Sequence, residues 1–153
     1  MTMIDIGGQV RHGEELDIAA VENWLKHQGV DLQGQAQVTQ YSGGASNWTY
    51  RLQYDNADLI LRRPPQGTKA KSAHDMAREY NVQKHLAPFY PVLPEMIALC
   101  QDDSVIGCDF YVMKRIEGII PRANLPKELQ LDASQVQQLC LNVLDKLIEL
   151  HQV

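Results

Sequence analysis

The chain has 153 residues, 44% of them hydrophobic and 22% charged, with a formal net charge of −5. Those values suit one globular unit with a modest core, and the acid excess argues against a nucleic-acid backbone binder, which needs a basic face. No stretch nears the roughly 20 apolar residues of a membrane span, and Asp5, Arg11, Glu14, Glu15 and Asp17 break up any signal-peptide apolar segment. Neither nucleic acid nor membrane is therefore expected as a partner. A cytoplasmic setting is the expectation. Cys100, Cys108 and Cys140, which lack CxxC spacing and partnering histidines, accordingly read as reduced, small apolar residues.

Residues 1–16, glycine-rich and charged, read as a flexible arm. Asp17 then opens a helix that runs to Gln28, with Ile18, Val21, Trp24 and Leu25 on one face. Gly29 stands where a left-handed residue would stop it. Residues 37–41, 48–54 and 58–62 read as three strands, joined by a turn over 42–47 and a tight Asp55-Asn56-Ala57 connection. Pro64-Pro65 ends the third strand, because proline donates nothing to a ladder.

Ser72 begins a second helix, spaced three residues from Asp75 as in a capping box. Met76, Tyr80, Val82 and Leu86 give that helix an apolar side, and Pro88 closes it. Residues 96–100 and 109–113 read as a strand pair around the turn Asp102-Asp103-Ser104. A linker with Gly118, Pro121 and Pro126 follows over 114–131. Residues 134–150 carry the strongest helical pattern, apolar at Val136, Leu139, Cys140, Val143, Leu144, Leu147, Ile148 and Leu150. The order implies an α+β unit: a five-stranded antiparallel sheet with one helix inserted between its third and fourth strands, plus a carboxyl-terminal helix.

Chemistry concentrates in three places. Gly43 and Gly44 remove Cβ atoms and permit positive φ, so backbone N–H groups of the turn could approach a phosphate, with Ser46 adding a hydroxyl. A plain hairpin turn satisfies the same residues. Arg62 suits the α- and β-phosphates of a nucleotide, or is a solvated arginine at a strand end. Glu79, on the following helix, could orient Arg62 or face water. Arg62, Arg63, Lys69 and Lys71 together suit a local phosphate site better than a duplex. Asp102-Asp103 offers a carboxylate pair, but a turn tip favours solvated acids there.

Glycine hairpin, cation on the third strand, carboxylate on the next helix, then a strand pair and a short linker: this order resembles a kinase amino-terminal lobe. No GxGxxG motif is present. Residues 43–52 instead resemble the loop of the aminoglycoside phosphotransferase and choline kinase-like family. Leu59-Ile60-Leu61-Arg62-Arg63-Pro64-Pro65 is similar to the third strand of its subgroup attached to acyl-CoA dehydrogenases. Arg78-Glu79-Tyr80 and the run from Phe110 to Gly118 resemble its helix and hinge.

The resemblance covers about residues 17–151. It implies a nucleotide-binding, protein-kinase-like amino lobe over 17–113, hinge and linker over 114–131, and the first helix of a truncated carboxyl lobe over 132–153. It further implies ATP with magnesium as cofactor, with Gly43, Gly44, Ala45, Ser46 and Asn47 around the triphosphate. Arg62 takes the place usually held by lysine, and Glu79 orients it. The backbone of Met113, Lys114 and Arg115 meets the adenine edge.

The family's HGD catalytic loop and its magnesium carboxylates would follow the helix ending near His151. None of His12, His27, His74, His85 and His151 begins such a motif, so neither a catalytic residue nor a metal ligand is expected within the chain. The intact protein would then transfer the ATP γ-phosphate to a hydroxylated small molecule, and this chain alone would be inactive. Its partners would be an adenine nucleotide, the missing carboxyl lobe and, through the apolar face of residues 134–150, a second copy of itself. A non-catalytic nucleotide-binding or regulatory module, and a plain interaction domain, are the competing readings.

Overall fold

The computed structural model describes residues 5–42, 47–67, 75–121 and 123–153. Their elements run α1 (Ile18–His27), β1 (Gln37–Gln40), β2 (Trp48–Gln53), β3 (Asp58–Arg63), α2 (Met76–Leu86), β4 (Met96–Cys100), α3 (Asp103–Ile106), β5 (Phe110–Lys114) and α4 (Ala133–His151), with a 3₁₀ turn at Lys127–Leu129 before α4. The five strands form one antiparallel sheet in the order β1-β2-β3-β5-β4. This is the α+β arrangement expected, with α2 inserted between the third and fourth strands. Gly43–Ser46 and the capping residue Ser72 lie outside the described residues.

The two-residue period of a strand sorts side chains onto two faces. Tyr50 and Leu52 of β2, Leu59 and Leu61 of β3, and Phe110 and Val112 of β5 share one face and are buried. Helix α1 covers that face with Val21 and Leu25, four residues apart and fully buried. Its Trp24 meets Phe110 edge-on, ring centroids 4.9 Å apart. Asp17 caps α1 by accepting the Ala20 N–H at 3.0 Å, and Gly29 follows in the left-handed region at φ +85°, as its position predicts. The opposite face keeps Met76 and Tyr80 of α2 against Tyr111, and is otherwise open toward the site described below.

Four expectations need correction. Residues 5–16 do not form a free arm. From residue 5 the chain is stitched to the sheet: Gly8 and Gln40 exchange backbone hydrogen bonds of 2.8 and 2.9 Å, and the Tyr50 hydroxyl donates to Glu14 O at 2.6 Å. The described part of α2 starts at Met76, capped by the Asp75 carboxylate on Arg78 N. Val82 faces water at 52% exposure, because the face of α2 that meets the sheet carries Met76, Tyr80 and Gln83 instead. Asp102-Asp103 is not a simple hairpin tip: Asp102 caps the short helix α3 through Ser104 N, and Gly107 at φ +80° ends it.

Helix α4 has the capping box Asp132/Gln135 at its start. No described residue of it is buried, and Val143, Leu144, Leu147 and Ile148 stand 63%, 50%, 51% and 47% exposed. It meets the rest of the chain where the Tyr90 hydroxyl donates to Lys146 O at 2.9 Å.

Leu61 is fully buried on the central strand between Tyr50 and Val112. Leu61→Ala should therefore lower unfolding free energy by about 2–5 kcal/mol, read from urea denaturation. A loss no larger than that of a surface substitution would show that the sheet face under α1 is not the core.

Candidate functional site

On the open face, β3 presents Asp58, Ile60 and Arg62, and β5 presents Tyr111 and Met113. Arg62 lies opposite Thr49 on one side and Tyr111 on the other. Helix α2 crosses beside this strand end and delivers Glu79. Arg62 Nη2 stands 3.2 Å from Glu79 Oε2, the contact anticipated from sequence order.

Glu79 is held by more than Arg62. The Asn47 side-chain amide donates to Oε1 at 2.7 Å, and the Tyr111 hydroxyl donates to Oε2 at 3.1 Å. Asn47, which follows Gly43–Ser46 in sequence, is thereby tied to the helix that also holds Arg62. Burial pushes the Tyr111 phenol up to about 12, against the opposing pull of the Arg62 cation, so it stays a donor to Glu79 at neutral pH. Gln83, one turn beyond Glu79, adds a contact of 3.5 Å to the Tyr111 oxygen. Among the described residues, Arg62 Nε has no hydrogen-bond partner.

Beside this cluster lies a cleft of about 260 Å³. Ile60, Pro94, Met113, Ile116 and Ile120 supply apolar walls; Tyr41, Thr49, Arg62, Lys114 and Arg115 supply the polar ones. A small-molecule site encloses roughly 300–1,000 Å³, so the cleft lies just below the lower end of that range. The structure thus brings Arg62, Met113, Lys114 and Arg115 to one cleft, with Glu79 and Asn47 at its cationic end. Gly43, Gly44, Ala45 and Ser46 lie outside the described residues.

The hinge residues have jobs that sequence reasoning missed. Lys114 N–H donates to Glu95 O at 2.8 Å and Arg115 N–H to Asp58 O at 2.9 Å, so both amides are spent inside the sheet. The Arg115 side chain, 4% exposed, reaches Asp58 Oδ2 at 3.1 Å and the Tyr41 hydroxyl at 3.1 Å. Arg51 holds the same Asp58 carboxylate through two hydrogen bonds of 2.8 Å. Strand parity was the available signal: Arg51 is diagonal to Asp58 on one sheet face. Among the described residues, no three His, Cys, Asp or Glu side chains come together as a metal set. No helix there is long and apolar enough to cross a membrane.

A five-stranded sheet with a helix-borne carboxylate gripping a strand-borne cation beside a cleft matches the architecture of a phosphotransferase amino lobe. The family model described as the phosphotransferase enzyme family, APH, matches residues 37–153, and the chain belongs to that family. It is similar to acyl-CoA dehydrogenase family member 11 of Gallus gallus, 41% identical over 125 residues, covering 78% of this chain and 16% of that protein. Acyl-CoA dehydrogenase family member 10 of Mus musculus is 38% identical over 102 residues, 66% of this chain and 10% of that protein. Among solved structures, a Ralstonia eutropha protein assigned to the aminoglycoside phosphotransferases superposes with a TM-score of 0.59 at 30% identity. That match covers 71% of this chain and 30% of the other. The chain therefore spans only a small part of the curated relatives it matches.

Asp58 carries a pH prediction. Burial alone would raise its pKa, but the hydrogen bonds and charges of Arg51 and Arg115 prevail and hold the carboxyl below its ordinary value. A carboxylate depressed in the folded state stabilises fully above its unfolded pKa, near 3.9, and loses that contribution as pH falls through the folded value. Wild type should thus lose stability below about pH 4. Asp58→Asn should lose about 1 kcal/mol at pH 7, a modest figure because the carboxylate is partly exposed. It should also have a flatter acid limb. Parallel pH–stability curves for the two proteins would contradict this role.

Proposed function

We propose that this chain is the ATP-binding lobe of a small-molecule kinase. The observation that carries the reading is the Arg62–Glu79 pair, 3.2 Å apart, at the polar end of an apolar cleft. Arg62 would neutralise the α- and β-phosphates, with Glu79, Asn47 and Tyr111 holding its direction. The turn over Gly43, Gly44, Ala45 and Ser46 would add backbone donors. Ile60, Met113 and Ile116 would sandwich the adenine. Because the Lys114 and Arg115 amides are already committed to Glu95 and Asp58, the adenine edge would be met by the Ile116 amide and by hinge carbonyls.

In the intact protein the acceptor's hydroxyl oxygen would form the new bond to the γ-phosphorus. The bond from that phosphorus to the β,γ-bridging oxygen would break, ADP would leave, and the hydroxyl proton would pass to a base outside this chain. Magnesium would supply charge neutralisation to the transferring phosphate; since no described carboxylate set fits it, its ligands would also lie elsewhere. The substrate would be a hydroxylated small molecule. The exposed apolar face of α4 belongs to the same proposal. A carboxyl lobe covers it in the intact protein, and a second copy covers it in this chain alone, because each large aliphatic left in water forgoes about 1.5–3 kcal/mol. Sedimentation at rising concentration should reveal a dimer that Leu147→Asp abolishes; a monomer throughout would remove the self-association.

Titrating ATP and magnesium into the labelled chain should move resonances of Asn47, Arg62, Met113 and Ile116, with millimolar to high-micromolar affinity and no phosphate turnover. Arg62→Ala should weaken ATP about tenfold or more while leaving adenosine nearly unaffected. Equal effects on ATP and adenosine, or shifts confined to other surfaces, would favour the interaction-domain reading. Steady ATP turnover dependent on residues of this chain would refute its assignment as a binding lobe alone.

A further inference from the structure

We infer that the segment around Asp5 is a positioning strap, which holds the hinge at residues 115–120 in place from outside the cleft. Three of its contacts converge on the hinge. Asp5 N–H donates to Gly118 O at 3.1 Å, Ile120 N–H donates to Asp5 Oδ2 at 2.9 Å, and Arg115 Nη2 donates to Asp5 O at 2.7 Å. The Tyr41 hydroxyl donates to the same Asp5 oxygen at 3.1 Å. Tyr41, Arg115, Ile116 and Ile120 all line the cleft, so one residue far away in sequence braces the wall that a ligand would touch.

The strap is itself anchored to the edge strand. Thr39 Oγ1 donates to Ile6 O at 2.6 Å, and Gly8 pairs with Gln40 in both directions. Between these anchors the backbone passes so close to β1 that a Cβ on Gly7 would sit 3.0 Å from both Gln40 O and Thr39 Oγ1. Gly7 also has φ +79°, where a side chain is disfavoured. A side chain there would be strained and would press on the Gln40 carbonyl.

Without the strap, Arg115 keeps Asp58 and Tyr41, so the end of β5 stays fixed. Gly118 and Ile120 lose the partners named above and the stretch after β5 is freed. The strap's effect on ligand affinity rests on the nucleotide reading of the cleft; its hold on the hinge does not.

The test uses amide hydrogen exchange and ATP titration on the full chain, on Gly7→Val, and on a variant lacking residues 1–6 that retains the Gly8–Gln40 pairing. The Ile120 amide should exchange about tenfold faster in both variants, with β2 and β3 unchanged, and the ATP dissociation constant should rise about fivefold. Unchanged protection of the Ile120 amide in the shortened variant overturns the strap. Faster exchange with unaltered ATP affinity overturns its role in positioning a ligand. If the unaltered chain binds no ATP, the nucleotide reading fails on its own, and the exchange result alone decides whether Asp5 holds the hinge.

Discussion

Side-chain parity along β3 is the constraint on which the rest depends. Six residues, Asp58–Arg63, alternate between two environments that differ completely. Leu59 and Leu61 turn toward α1, Arg63 shares their side of the strand, and Asp58, Ile60 and Arg62 lie on the cleft side. A slip of one residue would bury Asp58 and Arg62 in the core and expose both leucines, so hydrophobic burial fixes the register that functional geometry needs. Two adjacent arginines consequently have unrelated roles. Arg63, 3% exposed, lies 4.8 Å from the Trp48 ring and 5.7 Å from the Tyr50 ring, where aromatic faces solvate its charge. Arg62 keeps its head in the cleft.

The grip on Glu79 follows from the same register. A carboxylate on one helix turn is a poor guide for a long arginine unless its own oxygens are committed, because two flexible side chains lose rotamer entropy on pairing. Here Asn47 takes Oε1, while Tyr111 shares Oε2 with Arg62. Tyr111 is 1% exposed and packs against Tyr80 with ring centroids 6.1 Å apart, so the donor that aims Glu79 is itself fixed by core packing. The cluster links the turn before β2, the central strand, α2 and β5.

Much of this was legible in the sequence. Asp17, Gly29 and the strand punctuation at Asp55-Asn56 and Pro64 act through local backbone rules, so their elements were found within a residue or two. The Arg62–Glu79 contact came from the order of parts together with the family resemblance. The strap was not legible, because its partners on the amino-terminal side are mostly backbone oxygens of Asp5, Ile6 and Glu14, which leave no side-chain pattern. A glycine-rich, charged stretch reads as solvent-loving even when it runs against a sheet edge. The Arg115 side chain was missed for a related reason: the resemblance assigns that position a backbone role, whereas its guanidinium ties Asp58, Tyr41 and Asp5 together. Asp102-Asp103 went wrong at short range, where one cap hydrogen bond turns a hairpin tip into α3.

The charges of the open face also explain its polarity. Arg51, Arg62 and Arg115 share it with Asp58 and Glu79. Asp58 is consumed between two arginines at the hinge end, and Arg115 satisfies its remaining donors on Tyr41 and the Asp5 carbonyl. The arginines of that end are therefore tied to Asp58, and Ile60, Met113, Ile116 and Ile120 line it. At the other end Glu79 accepts from two neutral groups as well as from Arg62. Its oxygens are thus filled without the cation's donors being exhausted, and Arg62 Nε is left without a partner among the described residues. The cleft is thus lined by Ile60, Met113, Ile116 and Ile120 at one end and by the Arg62 guanidinium, paired with Glu79, at the other. A planar guanidinium suits that place, because one terminal nitrogen can pair with Glu79 while the group still lines the cleft.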